Sequence, residues 1–311
     1  MSDTPVVPVT PVAPVRIAVA IDVAMSEVDL IADRLFSAGA SAVAERVRHD
    51  GSVTLIADLD VEAIDRLNEQ ATLMLRTLEP DVAWNNGWRD FAKARRCGRI
   101  VIRPAWLPAD SPVESDGPVE SDDTGSPGAA ATGAESPDTL DTIELVMEPG
   151  VSFGSGTHVT TRLCVEAVDR LVTPGARVLD VGCGTGVLGV AAALLGSGEV
   201  VAIDIDPDAV RVTRDLAEVN GVGDRVTAST DRLADVSGKF DLVLANVLIP
   251  VIEELGADLV ERVSLGGRLV VSGVLVEHRD RTVAALPDLV LDRIEDRGGW
   301  LLLEFTRPPV E

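Results

Sequence analysis

The chain has 311 residues, 46% of them apolar, and a net charge of −24. That length allows one large or two ordinary domains with a sizeable core. The charge excludes a general nucleic-acid binder, because phosphates would be repelled; it favours basic partners, or serves solubility alone. Three cysteines, Cys97, Cys164 and Cys183, lack metal-type spacing and suit a reducing cytosol, and the three histidines are scattered, so no metal site is expected. The start of the chain carries no basic segment, and Pro5, Pro8, Pro11 and Pro14 interrupt any signal-like helix. Apolar runs are too short to span a bilayer. These features predict a cytoplasmic protein without a membrane segment, and a monomer is the expectation.

Residues 1–14 are a Pro/Val/Thr leader, expected to be disordered. Val15–Val23 alternates as a strand does. Ser26–Ala38 has helical spacing, with Ser26 placed to cap it and Gly39 to stop it. Ala42–Arg48 and Ser52–Asp58 read as strands joined at His49-Asp50-Gly51, and Val61–Leu78 as a second helix. The order β-α-β-β-α predicts a small α+β domain of ferredoxin-like type over residues 15–80.

Residues 81–106 form a basic and aromatic bridge. Trp84, Trp88, Phe91 and Trp106 alternate there with Arg89, Lys93, Arg95, Arg96, Arg99 and Arg103. Stacking plus charge would suit a substrate or nucleic-acid contact. The plainer reading is a wedge whose arginines stack on tryptophans and pair with nearby acids. Residues 107–142 read as an acidic linker: Pro112-Val-Glu-Ser-Asp116 recurs as Pro118-Val-Glu-Ser-Asp122, with no Lys, Arg or aromatic residue. Such a segment cannot bury enough apolar surface to offset its ordering entropy.

From residue 143 to 311 apolar runs at 177–181, 199–203, 225–229, 240–245, 267–273, 288–294 and 300–306 alternate with helical patterns at 158–171, 186–196, 207–220, 250–264 and 277–286. This predicts an α/β domain with a doubly wound, mostly parallel seven-stranded sheet, its ligand at the carboxyl ends of the strands.

The first of these runs ends in Asp180-Val-Gly182-Cys-Gly184-Thr-Gly186, and the second in Asp204-Ile-Asp206-Pro207. The glycines let the backbone approach a ligand, and the helix that follows aims free N–H groups at it. Asp204 suits a ribose diol; Asp206 suits a helix cap before Pro207. Gly184-x-Gly186-x-x-Gly189 formally matches a dinucleotide fingerprint, so an NAD(P)-dependent oxidoreductase is one reading. Asp180 favours the other, S-adenosylmethionine, because a carboxylate suits a methionine ammonium and repels a pyrophosphate. Two further stretches bear on the choice: Glu148-Pro-Gly-Val-Ser-Phe153-Gly-Ser-Gly-Thr-His158-Val-Thr-Thr161, and the run ending Leu-Ala-Asn246-Val-Leu248. An Asn carbonyl there can accept a hydrogen bond from an attacking amine.

Together these stretches resemble the methyltransferase family of ribosomal large-subunit protein eleven (L-eleven), over most of residues 15–306. The resemblance implies an S-adenosylmethionine-dependent protein N-methyltransferase acting on lysine or N-terminal amines of a basic ribosomal protein. It implies Thr161, Gly182, Asp204 and Asn246 as cofactor-binding residues, with Asp180 and Gly184 in the same turn and Asn246 also catalytic. It implies that Phe153, Gly154, Gly156, Thr157 and His158 form the loop over the cofactor; His158 and Thr161 also read as plain helix-start residues. The acidic insertion and Ile249, where the family often has a small residue, depart from the pattern and leave open another protein or a small molecule as acceptor.

Overall fold

The computed structural model describes residues 16–24, 31, 34–35, 38–40, 43–47, 53–70, 75–77, 93–115, 142–147 and 158–309. The chain divides into two compact units, Met1–Ala92 and Lys93–Glu311. In the first, β1 (Arg16–Val23), β2 (Val43–Val47), β3 (Val53–Asp60) and β4 (Arg76–Thr77) form a sheet of order β2-β3-β1-β4, with every pairing antiparallel. Alternation along β1 buries Val19, Ile21 and Val23 with Leu55, Ala57 and Leu59 of β3. Helix α1 (Val61–Gln70) packs Ala63 and Leu67 into that core, and Asp60 caps it by accepting from the Ala63 N–H at 2.6 Å. The helix is described over Val61–Gln70, and the helical pattern expected to run to Leu78 does not hold at Arg76 and Thr77. Arg76 and Thr77 pair instead with Ala20 and Val19, and the Arg76 guanidinium meets the Asp22 carboxylate at 3.2 Å. Here pairing with an open sheet edge overrides local periodicity. The expected leader, most of the helix at 26–38, and Trp84, Trp88, Arg89 and Phe91 lie outside the described residues.

The second unit begins with a four-stranded sheet of order β7-β5-β6-β8, made of β5 (Ala94–Cys97), β6 (Ile100–Pro104), β7 (Val113–Ser115) and β8 (Ile143–Met147). The described part of the bridge is a β-hairpin over 94–104, where Arg95, Arg99 and Arg103 pair with acids and Arg96 donates to the Thr142 hydroxyl. Arg99 Nε sits 2.7 Å from Asp169, Arg103 meets Glu144 at 2.9 Å, and Arg95 and Lys93 both reach Glu114. The linker expectation needs a correction at its start. Residues 113–115 are a strand parallel to β5, because Glu114 gives that edge a partner for two cations. Residues 116–141 lie outside the described residues.

The main sheet has the order β11-β10-β9-β12-β13-β15-β14, from β9 (Arg177–Val181), β10 (Glu199–Ile203), β11 (Val226–Ser229), β12 (Phe240–Asn246), β13 (Val263–Leu275), β14 (Val290–Arg297) and β15 (Trp300–Thr306). The first five strands in that order run parallel, and β15 is antiparallel to both its neighbours. β9 and β12 are covered on both faces, which is why they read as largely apolar runs, interrupted in β9 by Asp180. One layer buries α2 (Val159–Leu171), α3 (Val187–Leu194), α4 (Pro207–Val219) and the β5–β8 sheet. The other buries α5 (Ile249–Arg262) and Leu286, which follows α6 (Arg279–Ala284). Each fully buried Val, Leu or Ile in these layers contributes roughly 1.5–3 kcal/mol. Strand order reverses direction at β9, so a crevice opens above the carboxyl ends of β9, β10 and β12. Among the described residues, no helix is long and apolar enough to cross a membrane.

Candidate active site

On one side of the crevice the chain leaves β9 through the glycine turn. Gly182 has φ 70°, and a Cβ there would lie 2.5 Å from Val247 Cγ1, so only glycine fits on both counts. The turn folds over the end of β10: the N–H groups of Gly182 and Cys183 both donate to Ile203 O, at 2.9 and 3.1 Å. Asp204, the next residue of that strand, accepts from Gly184 N–H at 2.9 Å through one carboxylate oxygen and from Asp206 N–H at 3.0 Å through the other. Asp206 caps α4 by accepting from Asp208 N–H at 2.9 Å, with Pro207 at the first helical position, as its sequence context predicts. The structure thus brings Gly182, Gly184 and Asp204 together as a rigid cradle.

Asp180 stands beneath that cradle, 1% exposed, where it accepts from the Gly189 N–H of α3 at 3.0 Å. Burial pushes its pKa up to about 7; the Gly189 N–H opposes the shift, and the charge of Asp204 adds to it. A cation arriving close by would restore its charge. Cys183 is buried in the same turn, 3.3 Å from the Thr213 hydroxyl, and burial raises its thiol pKa.

On the other side, α2 begins at His158, whose Nδ1 accepts from the Thr160 N–H at 3.3 Å and lies 2.8 Å from its hydroxyl. His158 is therefore the helix cap. Burial, and then the nearby positive charge of Arg162, lowers its pKa to about 4, so the ring is neutral at physiological pH. Its ring meets Trp300 edge-on, with centroids 5.2 Å apart. Three residues into α2, Thr161 is fully buried and its hydroxyl oxygen has no hydrogen-bond partner. Asn246 ends β12, and its Oδ1 is likewise buried without a partner, as is Trp300 Nε1. Leaving such an atom unsatisfied costs about 1–3 kcal/mol each, which native proteins retain where a ligand supplies the missing partner.

Phe153, Gly154, Gly156 and Thr157 lie outside the described residues. Two residues beside the crevice carried no sequence signal that singled them out by role. Trp300 is the one tryptophan outside residues 84–106, which marks it in retrospect. Ile205 is 94% exposed between two acids, a place where a large aliphatic side chain has no packing reason to be. Among the described residues no cluster of metal ligands occurs.

The glycine cradle and the carboxylate at the end of β10 fit an adenosine-bearing cofactor. With the sheet order, they define a Rossmann-like protein that binds such a cofactor at the carboxyl ends of its strands. A family model described as ribosomal protein L11 methyltransferase matches residues 130–308. A protein named ribosomal protein L11 methyltransferase from Geobacter sp. (strain M21) is 37% identical over 232 residues, covering 72% of this chain and 67% of that one. One of the same name from Symbiobacterium thermophilum is 33% identical over 268 residues, covering 85% and 76%. A solved ribosomal protein L11 methylase from Lactobacillus delbrueckii subsp. bulgaricus superposes with a TM-score of 0.55 at 26% identity, over 70% of this chain and 99% of that one. The chain belongs to the ribosomal protein L11 methyltransferase family, and this membership selects the methyl donor over the dinucleotide.

Proposed function

We propose that the chain methylates amines of ribosomal protein L11, on lysine side chains or the N-terminus, and that Asn246 is the residue that touches the acceptor. The buried, unpartnered Oδ1 of Asn246 carries this reading. Bound S-adenosylmethionine supplies a methyl group already activated on a sulfonium, so the protein's task is alignment. Thr161, Gly182, Gly184 and Asp204 would hold the cofactor, with Asp180 below and the segment from Phe153 to His158 above. Asn246 Oδ1 accepts one N–H of the acceptor amine and so directs its lone pair.

The choice of an amide over a carboxylate follows from the acceptor's titration. A lysine amine has a pKa of about 10.4 in water and must be neutral to react. An Asp at this position would favour the ammonium; Asn accepts a hydrogen bond without adding charge, while burial lowers the amine pKa. The proton passes to water before transfer. The chain's net charge of −24 suits a lysine-rich protein partner, and the expectation remains a monomeric cytoplasmic enzyme that needs neither nucleic acid nor membrane.

The test is incubation with labelled methyl donor and purified ribosomal protein L11, followed by mass spectrometry of the product. Label on its amines is expected. Label on a different protein, on a small molecule, or on oxygen or carbon would overturn the substrate assignment.

A further inference from the structure

Asn246 is held by something that its own strand does not supply. The parallel pairing of β12 with β13 ends at Asn246 and Ser272, after which the Val247 N–H still donates to Ser272 O at 3.2 Å. At the next residue β13 departs from regular strand geometry. Gly273 has φ 80°, and the register of β13 against β15 shifts between Val271 and Val274. This is a β-bulge, the device by which a strand re-aims what lies beside it. A Cβ at Gly273 would lie 2.8 Å from Val247 O and 3.2 Å from Asn246 Oδ1. Gly182 abuts the side chain of the same Val247 from β9's side. Val247 is thus flanked by two glycines with positive φ, Gly182 of the glycine turn against its side chain and Gly273 of the bulge against its carbonyl. Ser272 pins the bulge, its hydroxyl donating to Leu301 O of β15 at 2.9 Å.

We propose that Gly273 is a positioning residue for methyl transfer: its bulge sets the direction of Asn246 Oδ1. The inference rests on the reading of Asn246 as the residue that orients the amine. A methyl group at position 273 must displace either the Val247 carbonyl or the Asn246 amide. The cradle at Gly182, Gly184 and Asp204 belongs to other strands, so cofactor binding is largely spared.

The test uses single-turnover methyl transfer at saturating cofactor, with cofactor affinity by calorimetry, on Gly273→Ala, Asn246→Ala and the double variant. Gly273→Ala is expected to slow transfer by about tenfold or more while the cofactor Kd changes by less than about threefold. In the Asn246→Ala background the same change is expected to cost nothing further, since neighbours acting through one group are not additive. An equal loss in both backgrounds, or a loss of cofactor affinity that matches the loss of rate, overturns the proposal. A wild-type rate for Asn246→Ala instead overturns the underlying reading of Asn246. If Gly273→Ala does not fold, Ser272→Ala frees the bulge without adding an atom and takes its place in the cycle. It is expected to slow transfer severalfold, and an unchanged rate overturns the proposal.

Discussion

The two walls of the crevice differ in how their polar atoms are occupied. On the β9–β10 wall each carboxylate singled out by the sequence already accepts from backbone: Asp204 from Gly184 and Asp206, and Asp180 from Gly189. On the α2–β12 wall the Thr161 hydroxyl and Asn246 Oδ1 are buried and accept from nothing. The first wall is a cradle that is finished before any ligand arrives. The second is completed by what binds. Preorganisation therefore sits on the β9–β10 wall, which the proposed function gives to the cofactor sugar, and the unsatisfied groups sit on the wall it gives to the reacting ends.

Substitutions on the two walls should fail differently. The largest effect on binding is expected at Asp204→Ala, which removes the carboxylate that shapes the cradle and that, in the proposed reading, takes the ribose. Hydrogen bonds to charged groups are worth about 1.5–3 kcal/mol, so the cofactor Kd should rise by roughly a hundredfold, read by calorimetry. A Kd within threefold of wild type would show that the cradle is not the cofactor's seat.

Thr161→Val should have a smaller and mixed effect. Replacing a buried unsatisfied hydroxyl by a methyl of similar shape stabilises the free protein by about 1 kcal/mol, while the loss of a ligand bond weakens cofactor binding by roughly tenfold. A paired thermal melt and titration should show the two moving in opposite senses. A variant less stable than wild type would mean that the hydroxyl has a partner within the fold.

A third contrast concerns pH. His158 has a folded pKa of about 4, below its ordinary value of 6.5. The unfolded chain then takes up the proton first, so stability falls as pH drops through 6.5 and levels off near 4. Asp180 works in the opposite sense: its folded pKa of about 7 lies above 3.8, so its contribution is present at low pH and lost as pH rises through 7. Substituting His158→Asn keeps a cap while removing the imidazole's titration. Urea melts at pH 7.5 and pH 5 should show the variant losing less on acidification, by on the order of 2 kcal/mol. Equal losses would place the imidazole in a solvated setting.

Much of this was legible in the residues. The strands of the main sheet announced themselves because parallel strands buried on both faces must be largely apolar, as in Leu242–Ala245 and, but for Asp180, in Val178–Val181. Asp206-Pro207 announced the start of α4 through capping chemistry. What stayed hidden was set by partners distant in sequence. Residues 113–115 look like linker until Lys93 and Arg95 are brought alongside Glu114. Arg76 and Thr77 look helical until the open edge of β1 is beside them. Asn246 was readable as a chemical group at the end of a strand. That its Oδ1 lacks a partner, and that Gly273 shapes its surroundings, depends on a bulge which no local pattern encodes.

In the proposed reaction Asn246 serves the acceptor amine and not the cofactor cradle. Single-turnover methyl transfer to purified ribosomal protein L11 at saturating S-adenosylmethionine, comparing wild type with Asn246→Ala and Asn246→Asp, decides that role. A loss of about a hundredfold in rate is expected for Asn246→Ala with cofactor affinity largely kept. A deeper loss is expected for Asn246→Asp, recovering as pH rises, because a carboxylate holds the amine protonated. Rates equal to wild type in both variants would rule the role out.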